Sequence, residues 1–175
     1  MKDIVKPIAV LAAICLVVTA LLATVNAVTS PIISEANEKA KAKAMKEVLS
    51  EADDFEEITD LSLPDGVTEA YRATNGTGYV FMVNSKGYGG TIQFCCGIRS
   101  DGTIESTQTL SHSETSGIGS RVVDKKSSER LKFDGKSADN YETVDSITGA
   151  TISSKAFKKA IASAFEAYDT VKEAE

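Results

Sequence analysis

Between Asp145 and Ser154 the chain reads DSITGATISS, a run in which hydroxyls and a carboxylate flank a nearly bare centre at Gly149 and Ala150. Two chemistries fit such a run. In the first, Ser153 or Thr151 caps the helix that follows and Gly149 shapes the turn before it. In the second, backbone N–H groups at the helix start attract a phosphate, and Thr151 offers a hydroxyl beside that anion site. A phosphate ester on Thr151 is then well placed. Taken by themselves, these ten residues are accounted for by the cap.

Two further segments contain glycine where chemistry is wanted. KGYGG, Lys86 to Gly90, has three glycines, and SHSETSGIGS, Ser111 to Ser120, carries the one histidine of the chain, His112, with Gly117 and Gly119. Each also reads as a plain strand connection with His112 at the surface, because glycine-rich loops serve turns more often than phosphates. Metal chemistry finds no support: one histidine and the adjacent pair Cys95 and Cys96 supply no ligand spacing. The acidic cluster from Glu51 to Asp60 lacks the ligand order and the sharp-turn glycine of a calcium loop, so it reads as solvated loop.

The elements that position these residues follow from periodicity. Strands are expected over Thr68–Thr74, Tyr79–Asn84, Thr91–Ile98 and Thr103–Leu110, with turns at Asn75-Gly76 and Asp101-Gly102. This is a meander of about four strands, on which Cys95 and Cys96 would face opposite sides. Arg121 to Asn140 looks irregular. Ser154 to Glu173 is amphipathic, with Phe157, Ala160, Ile161, Ala164, Tyr168 and Val171 in one stripe, which reads as core rather than as a cofactor box.

Ahead of this domain lies other material. Ile8 to Val28 is 21 uncharged residues, about 30 Å of helix and enough to span a bilayer. Lys2 and Lys6 before it and Val25-Asn26-Ala27 after it also suit a cleaved signal, but the apolar run exceeds the roughly 7–15 residues of a signal core. An uncleaved anchor is expected, with Cys15 a small membrane-buried side chain. Ser30-Pro31 can restart or redirect a helix, and Ile32 to Leu49, with Glu35 and Lys39 at the favourable spacing, reads as a helical stalk whose thin apolar face packs only partly on the domain. The partition expected is 1–7 as a cytoplasmic tail, 8–29 as transmembrane helix, 30–50 as stalk and 51–175 as the domain. Lys39, Lys41, Lys43 and Lys46 compete with Lys2 and Lys6 for the inside, so charge alone leaves the sidedness open. The short basic tail and single span place the N-terminus in the cytoplasm and the domain outside. Beyond residue 29 the chain has 17 basic and 24 acidic residues, a formal charge of −7, which speaks against nucleic acid as partner. The fold class expected is α+β, a small antiparallel or mixed sheet with flanking helices behind one membrane-spanning helix.

Asp145, two residues, then Thr148-Gly149-Ala150-Thr151 resembles the acceptor motif of the FMN-binding domain family, in which a flavin transferase esterifies the last threonine with FMN taken from FAD. KGYGG and HSET-x-G-x-G also occur in that family, in this order and behind one N-terminal span. The likeness covers nearly the whole chain and is nearest to the G subunits of Rnf membrane complexes, which are related to the C subunits of sodium-pumping NADH:quinone reductases. Where the family commonly has Pro and Leu, this chain has Ser116 and Ile118.

The resemblance implies FMN held covalently through a phosphoester to Thr151. It implies that Thr148, Gly149 and Ala150 give access and phosphate-binding N–H groups, that His112, Glu114, Thr115 and Gly117 wall the ring, and that Asp145 is read by the transferase. It further implies an electron relay in the membrane, working with the other membrane subunits of an Rnf-type complex that couples ferredoxin:NAD oxidoreduction to Na+ or H+ movement. The chain contains neither a dinucleotide fingerprint nor a cysteine set for an iron–sulfur cluster, so NADH and ferredoxin fall to other subunits. Read without the resemblance, the same chain is a membrane-tethered extracytoplasmic binding module with no cofactor.

Overall fold

The computed structural model describes residues 2–124 and 127–174, with side chains from residue 5 onward. Lys2 of the basic tail, as a side chain, and Glu175 at the end of the expected domain lie outside the described residues, as do Lys125 and Lys126 within the segment expected to be irregular. The chain divides into two units, residues 1–40 and 41–175.

The first unit is helical. It is the greater part of α1, Lys2–Val48, whose apolar residues from Val5 to Ile33 are exposed. By length and composition α1 is a candidate to cross a membrane. Thr24 and Thr29 donate their hydroxyls to the carbonyls of Ala20 and Val25 at 2.8 and 3.0 Å, so these polar groups need no partner outside the helix. The break expected at Ser30-Pro31 does not occur. Pro31 lies inside one uninterrupted helix, where it removes one N–H donor and leaves the helix on either side intact. The Glu35–Lys39 pair expected from the spacing forms at 2.6 Å.

The second unit is a five-stranded sheet with helices on both faces. Strands β1 (Phe55–Glu57), β2 (Val67–Ala73), β3 (Gly78–Lys86), β4 (Thr91–Arg99) and β5 (Ile104–Ser111) follow one another in sequence order. Every pair is antiparallel, which selects the antiparallel alternative over the mixed one. The fifth strand is β1, inside the acidic segment expected to be a solvated loop. Only three residues long, it has one half-buried position, Phe55, and alternation over three residues leaves little pattern to read.

Each strand sends alternate side chains to opposite faces. One face carries Phe81, Val83, Phe94, Cys96 and Ile98, covered by α3, Thr151–Ala174, through Phe157, Ala160, Ile161 and Ala164. The expected stripe on α3 is this core, and the helix begins three residues earlier than periodicity gives. The other face carries Tyr71, Val80, Met82 and Cys95 and is covered by Ala44, Met45, Val48 and Leu49, at the end of α1 and just beyond it. Burial on both faces is why β3 and β4 read as continuous apolar runs, and it places Cys95 and Cys96 on opposite sides. Between β5 and α3 the chain is held by short turns: α2, Ser120–Val123, and two 3-10 turns at Arg130–Phe133 and Tyr141–Thr143.

Candidate functional site

α3 starts at Thr151, so neither Thr151 nor Ser153 stands at the cap position; that place falls to Ala150. Ala150 N–H donates to Ile147 O at 2.9 Å to close the preceding turn, and the first helical bond is Ser154 N–H to Ala150 O, also 2.9 Å. The N–H groups of residues 151, 152 and 153 therefore precede the helical ladder and point out of its end. Ser154 Oγ accepts from Ile147 N–H at 3.1 Å, fastening the turn to the helix. Gly149 makes this turn with φ +85° and open space where a side chain would stand, a backbone conformation costly for other residues. Thr151 is exposed, and among the described residues its hydroxyl has no hydrogen-bond partner.

Ser153 has a different task from capping. Its hydroxyl donates to Glu114 Oε2, while Gly89 N–H donates to Glu114 Oε1 at 2.9 Å. Glu114 is buried, and its carboxylate joins three segments remote in sequence: the KGYGG loop, the 111–120 loop and the first turn of α3. Glycines close around it. A Cβ on Gly87 would collide with Oε1, and one on Gly119 would lie 2.6 Å from Oε2 and 2.8 Å from Ser153 Oγ. These two motif glycines leave room for a carboxylate of the protein itself. A charge taken out of water needs such partners, since hydrogen bonds to an ionised group stabilise it far more than neutral ones.

Around this strut lies a cleft of about 550 Å³ lined by Tyr88, Glu114, Thr115, Ile118, Gly119 and residues 149–153. Its volume suits a small-molecule cofactor. Among the described residues outside α1, four large hydrophobic side chains are exposed: Tyr88 at 71%, Ile152 at 55%, Leu131 at 51% and Ile118 at 50%. Three of the four line this cleft, so the apolar surface that the domain fails to bury is gathered where a flat aromatic ligand would cover it. The open N–H groups of α3 and the Thr151 hydroxyl stand beside it. The residues fit FMN in both respects, an apolar slot for a ring and a helix start for a phosphate.

The residues singled out from sequence are distributed unevenly about the cleft. Glu114, Thr115, Gly149, Ala150 and Thr151 line it; His112, Gly117, Thr148 and Asp145 do not. Instead, His112 Nδ1 accepts from Glu114 N–H at 3.2 Å, so Nε2 carries the proton and donates to Asp124 at 3.1 Å. The imidazole thus braces the backbone of Glu114 from behind. Gly117 N–H donates to Ser120 Oγ at 3.0 Å within the turn that presents Ile118. Thr148 and Asp145 are exposed. Tyr88, Ile118, Gly119, Ile152 and Ser153 were not expected at the site. Tyr88 and Ile118 could have been found as apolar residues inside polar glycine-rich loops, whereas nothing in the sequence ties Ser153 to Glu114.

An FMN-binding domain family model matches residues 87–166, and an RnfG N-terminal region model matches residues 1–48. The first match includes every residue that lines the cleft. Among relatives, the G subunit of the ion-translocating oxidoreductase complex of Methanosarcina acetivorans is 34% identical over 183 residues, covering 94% of this chain and 94% of the relative. The G subunit of the proton-translocating ferredoxin:NAD(+) oxidoreductase complex of Clostridium ljungdahlii is 30% identical over 168 residues, with 89% and 86% covered. The chain belongs to the family of G subunits of ion-translocating oxidoreductase complexes. A further member, from Acetobacterium woodii, is named for a Na(+)-translocating complex and is 28% identical, with 86% of this chain and 84% of the relative covered. In this family member the FMN-binding domain model spans the glycine-rich loop, the Glu114 strut and most of α3 together.

Proposed function

We propose that this chain is the flavoprotein relay of an Rnf-type complex that couples ferredoxin:NAD oxidoreduction to Na+ or H+ movement, with FMN joined through its phosphate to Thr151. The observation that supports it most is the position of an exposed, unpartnered threonine hydroxyl at the open start of α3, on the lip of an apolar cleft. When bound, FMN supplies the electron-accepting and electron-donating chemistry that no side chain of the cleft has. The protein's part is to hold and place it. The N–H groups of residues 151–153 face the phosphate, and Tyr88, Thr115, Ile118 and Ile152 enclose the ring. Glu114 keeps the two walls at their spacing, with His112 bracing it. Thr148 and Asp145, exposed before the turn, are left to be read by the transferase. A cleft open enough for redox partners to approach is also one from which a loose cofactor would escape, and an ester prevents that loss.

α1 anchors the chain in the bilayer, with the N-terminus in the cytoplasm and the domain on the far side, next to the other membrane subunits. Protease added outside wall-stripped cells should then digest the domain, and full protection would invert the orientation. For the flavin, a denaturing gel of protein matured with its transferase should show a band fluorescent under ultraviolet light that is lost in Thr151→Ala. A dark wild-type band would contradict the covalent linkage to Thr151.

A further inference from the structure

Beside the flavin cleft, and sharing Ile152 with it, runs a second groove of about 370 Å³. Three of its lining residues are Lys86, Lys155 and Lys159, and the one acidic residue lining it is Asp65. Elsewhere in the domain five cations pair with carboxylates: Lys41 with Glu69, Lys43 with Glu47, Arg72 with Glu56, Arg99 with Glu105 and Lys132 with Glu129. Lys158, between the two groove lysines of α3, donates to Glu142 O at 3.0 Å. Among the described residues Lys86, Lys155 and Lys159 form neither an ion pair nor a hydrogen bond. Lys155 follows Thr151 by four residues and Lys159 by eight, so both lie on the helix face below the attachment hydroxyl. Lys86 closes the groove from the end of β3, beside Ser85 and Asn84.

Uncompensated cations that line one concavity raise the local concentration of anions and favour a compact, multiply charged one. We propose that this groove binds the phosphate end of a nucleotide-sized ligand, with Lys86, Lys155 and Lys159 as its counter-ions. The proposal rests on the reading of Thr151 as flavin acceptor for the ligand's biological source, the adenylate half of the FAD donor. In that transfer Thr151 Oγ forms a bond to the FMN phosphorus, and the bond from that phosphorus to the bridging oxygen breaks. The hydroxyl proton passes to a base of the transferase, and AMP leaves with the bridging oxygen and one more negative charge on its phosphate. Lys155 lies about one helical turn and Lys159 about two turns from Thr151, so the groove offers its cations to the departing phosphate from beside the attachment residue. Free inorganic pyrophosphate has the same chemistry without the adenosine and is the alternative source.

The test uses the full-length chain in detergent, made in a host without a flavin transferase, titrated with AMP, pyrophosphate and adenosine while backbone amide resonances are recorded. AMP should shift Ser85, Lys86, Lys155 and Lys159, and adenosine should not. Lys155→Gln with Lys159→Gln, both at exposed positions, should leave the melting temperature unchanged and weaken AMP roughly tenfold, and salt should weaken it further. Pyrophosphate binding as tightly as AMP would assign the groove to free phosphates rather than to the adenylate, overturning that part. No shifts at about ten millimolar AMP, equal shifts with adenosine, or an undiminished affinity in the double variant would overturn the whole. Mass spectrometry of Thr151 after transferase treatment reads the flavin assignment separately, so a bare Thr151 with intact AMP binding fails that reading and not this one.

Discussion

Glu114 to Ala is the substitution that asks most of the site. In the native domain one carboxylate oxygen accepts from Gly89 N–H at 2.9 Å and the other from the Ser153 hydroxyl, and the side chain is buried. Alanine strands both donors and empties the space that Gly87 and Gly119 leave for the carboxylate. Hydrogen bonds to charged groups stabilise by about 1.5–3 kcal/mol each. Set against the relief of a desolvated charge, the net loss is about 3 kcal/mol, or a fall of roughly 10 °C in melting temperature for a unit of this size. Glutamine separates geometry from charge. Its carbonyl can take the Gly89 bond, its amide can donate to Ser153 Oγ, and the serine hydroxyl rotates to accept, so Glu114→Gln should cost only about 1 kcal/mol. Tyrosine fluorescence reports unfolding of this domain, since the chain has five tyrosines and no tryptophan. Glu114→Ala melting with the wild type would refute the strut, and Glu114→Gln melting as low as Glu114→Ala would show that charge rather than shape holds it.

Gly119→Ala should cost about 1–3 kcal/mol by crowding Glu114 and Ser153, and Gly149→Ala, strained in backbone but facing open space, about 1 kcal/mol; urea midpoints of the two variants measure both. Burial pushes the Cys95 thiol up to about 12 and Cys96 further in the same direction, while unfolded thiols ionise from about pH 8.5. Above that pH the unfolded chain binds fewer protons than the folded one, so stability is complete below it and falls at up to about 1.4 kcal/mol per pH unit for each thiol. The urea midpoint should therefore drop between pH 8 and 10, and a flat midpoint would contradict the burial. A chain beginning at Lys41 keeps Ala44, Met45, Val48 and Leu49 on the sheet and should stay monomeric and folded by light scattering and amide dispersion. One beginning at Ala52 gives up roughly 1.5–3 kcal/mol for each large side chain removed and should aggregate.

Much of the fold was legible because its signals are local. The glycine turns and the apolar runs of β2 to β5 mark themselves, and the stripe from Phe157 to Val171 reads as core. Other features were not local. Three residues of β1 carry too little alternation to stand out among six carboxylates, and Pro31 in the middle of α1 looks from sequence like a boundary. At the site, the residues alone offered Thr151 as a hydroxyl beside a helix start, with a cap as the plainer account, and it was the resemblance that assigned Thr151, Gly149, Ala150, Thr115 and Glu114 to a flavin. The role of Glu114 could be found from neither. A carboxylate held by Gly89 and Ser153 depends on segments 25 and 39 residues away, and no spacing rule connects them. His112 shows the same limit: the resemblance makes it a wall of the ring, whereas its ring nitrogens bond to Glu114 N–H and to Asp124.

The claim on which the functional reading depends is that Thr151 bears the flavin. Trypsin should release residues 137–155 of the natively matured protein as one peptide, since Lys136 and Lys155 bound a stretch free of other basic residues. Mass spectrometry should find that peptide heavier by one FMN less one water, with fragmentation locating the addition on Thr151. The same peptide recovered bare from cells that contain the transferase would contradict the account.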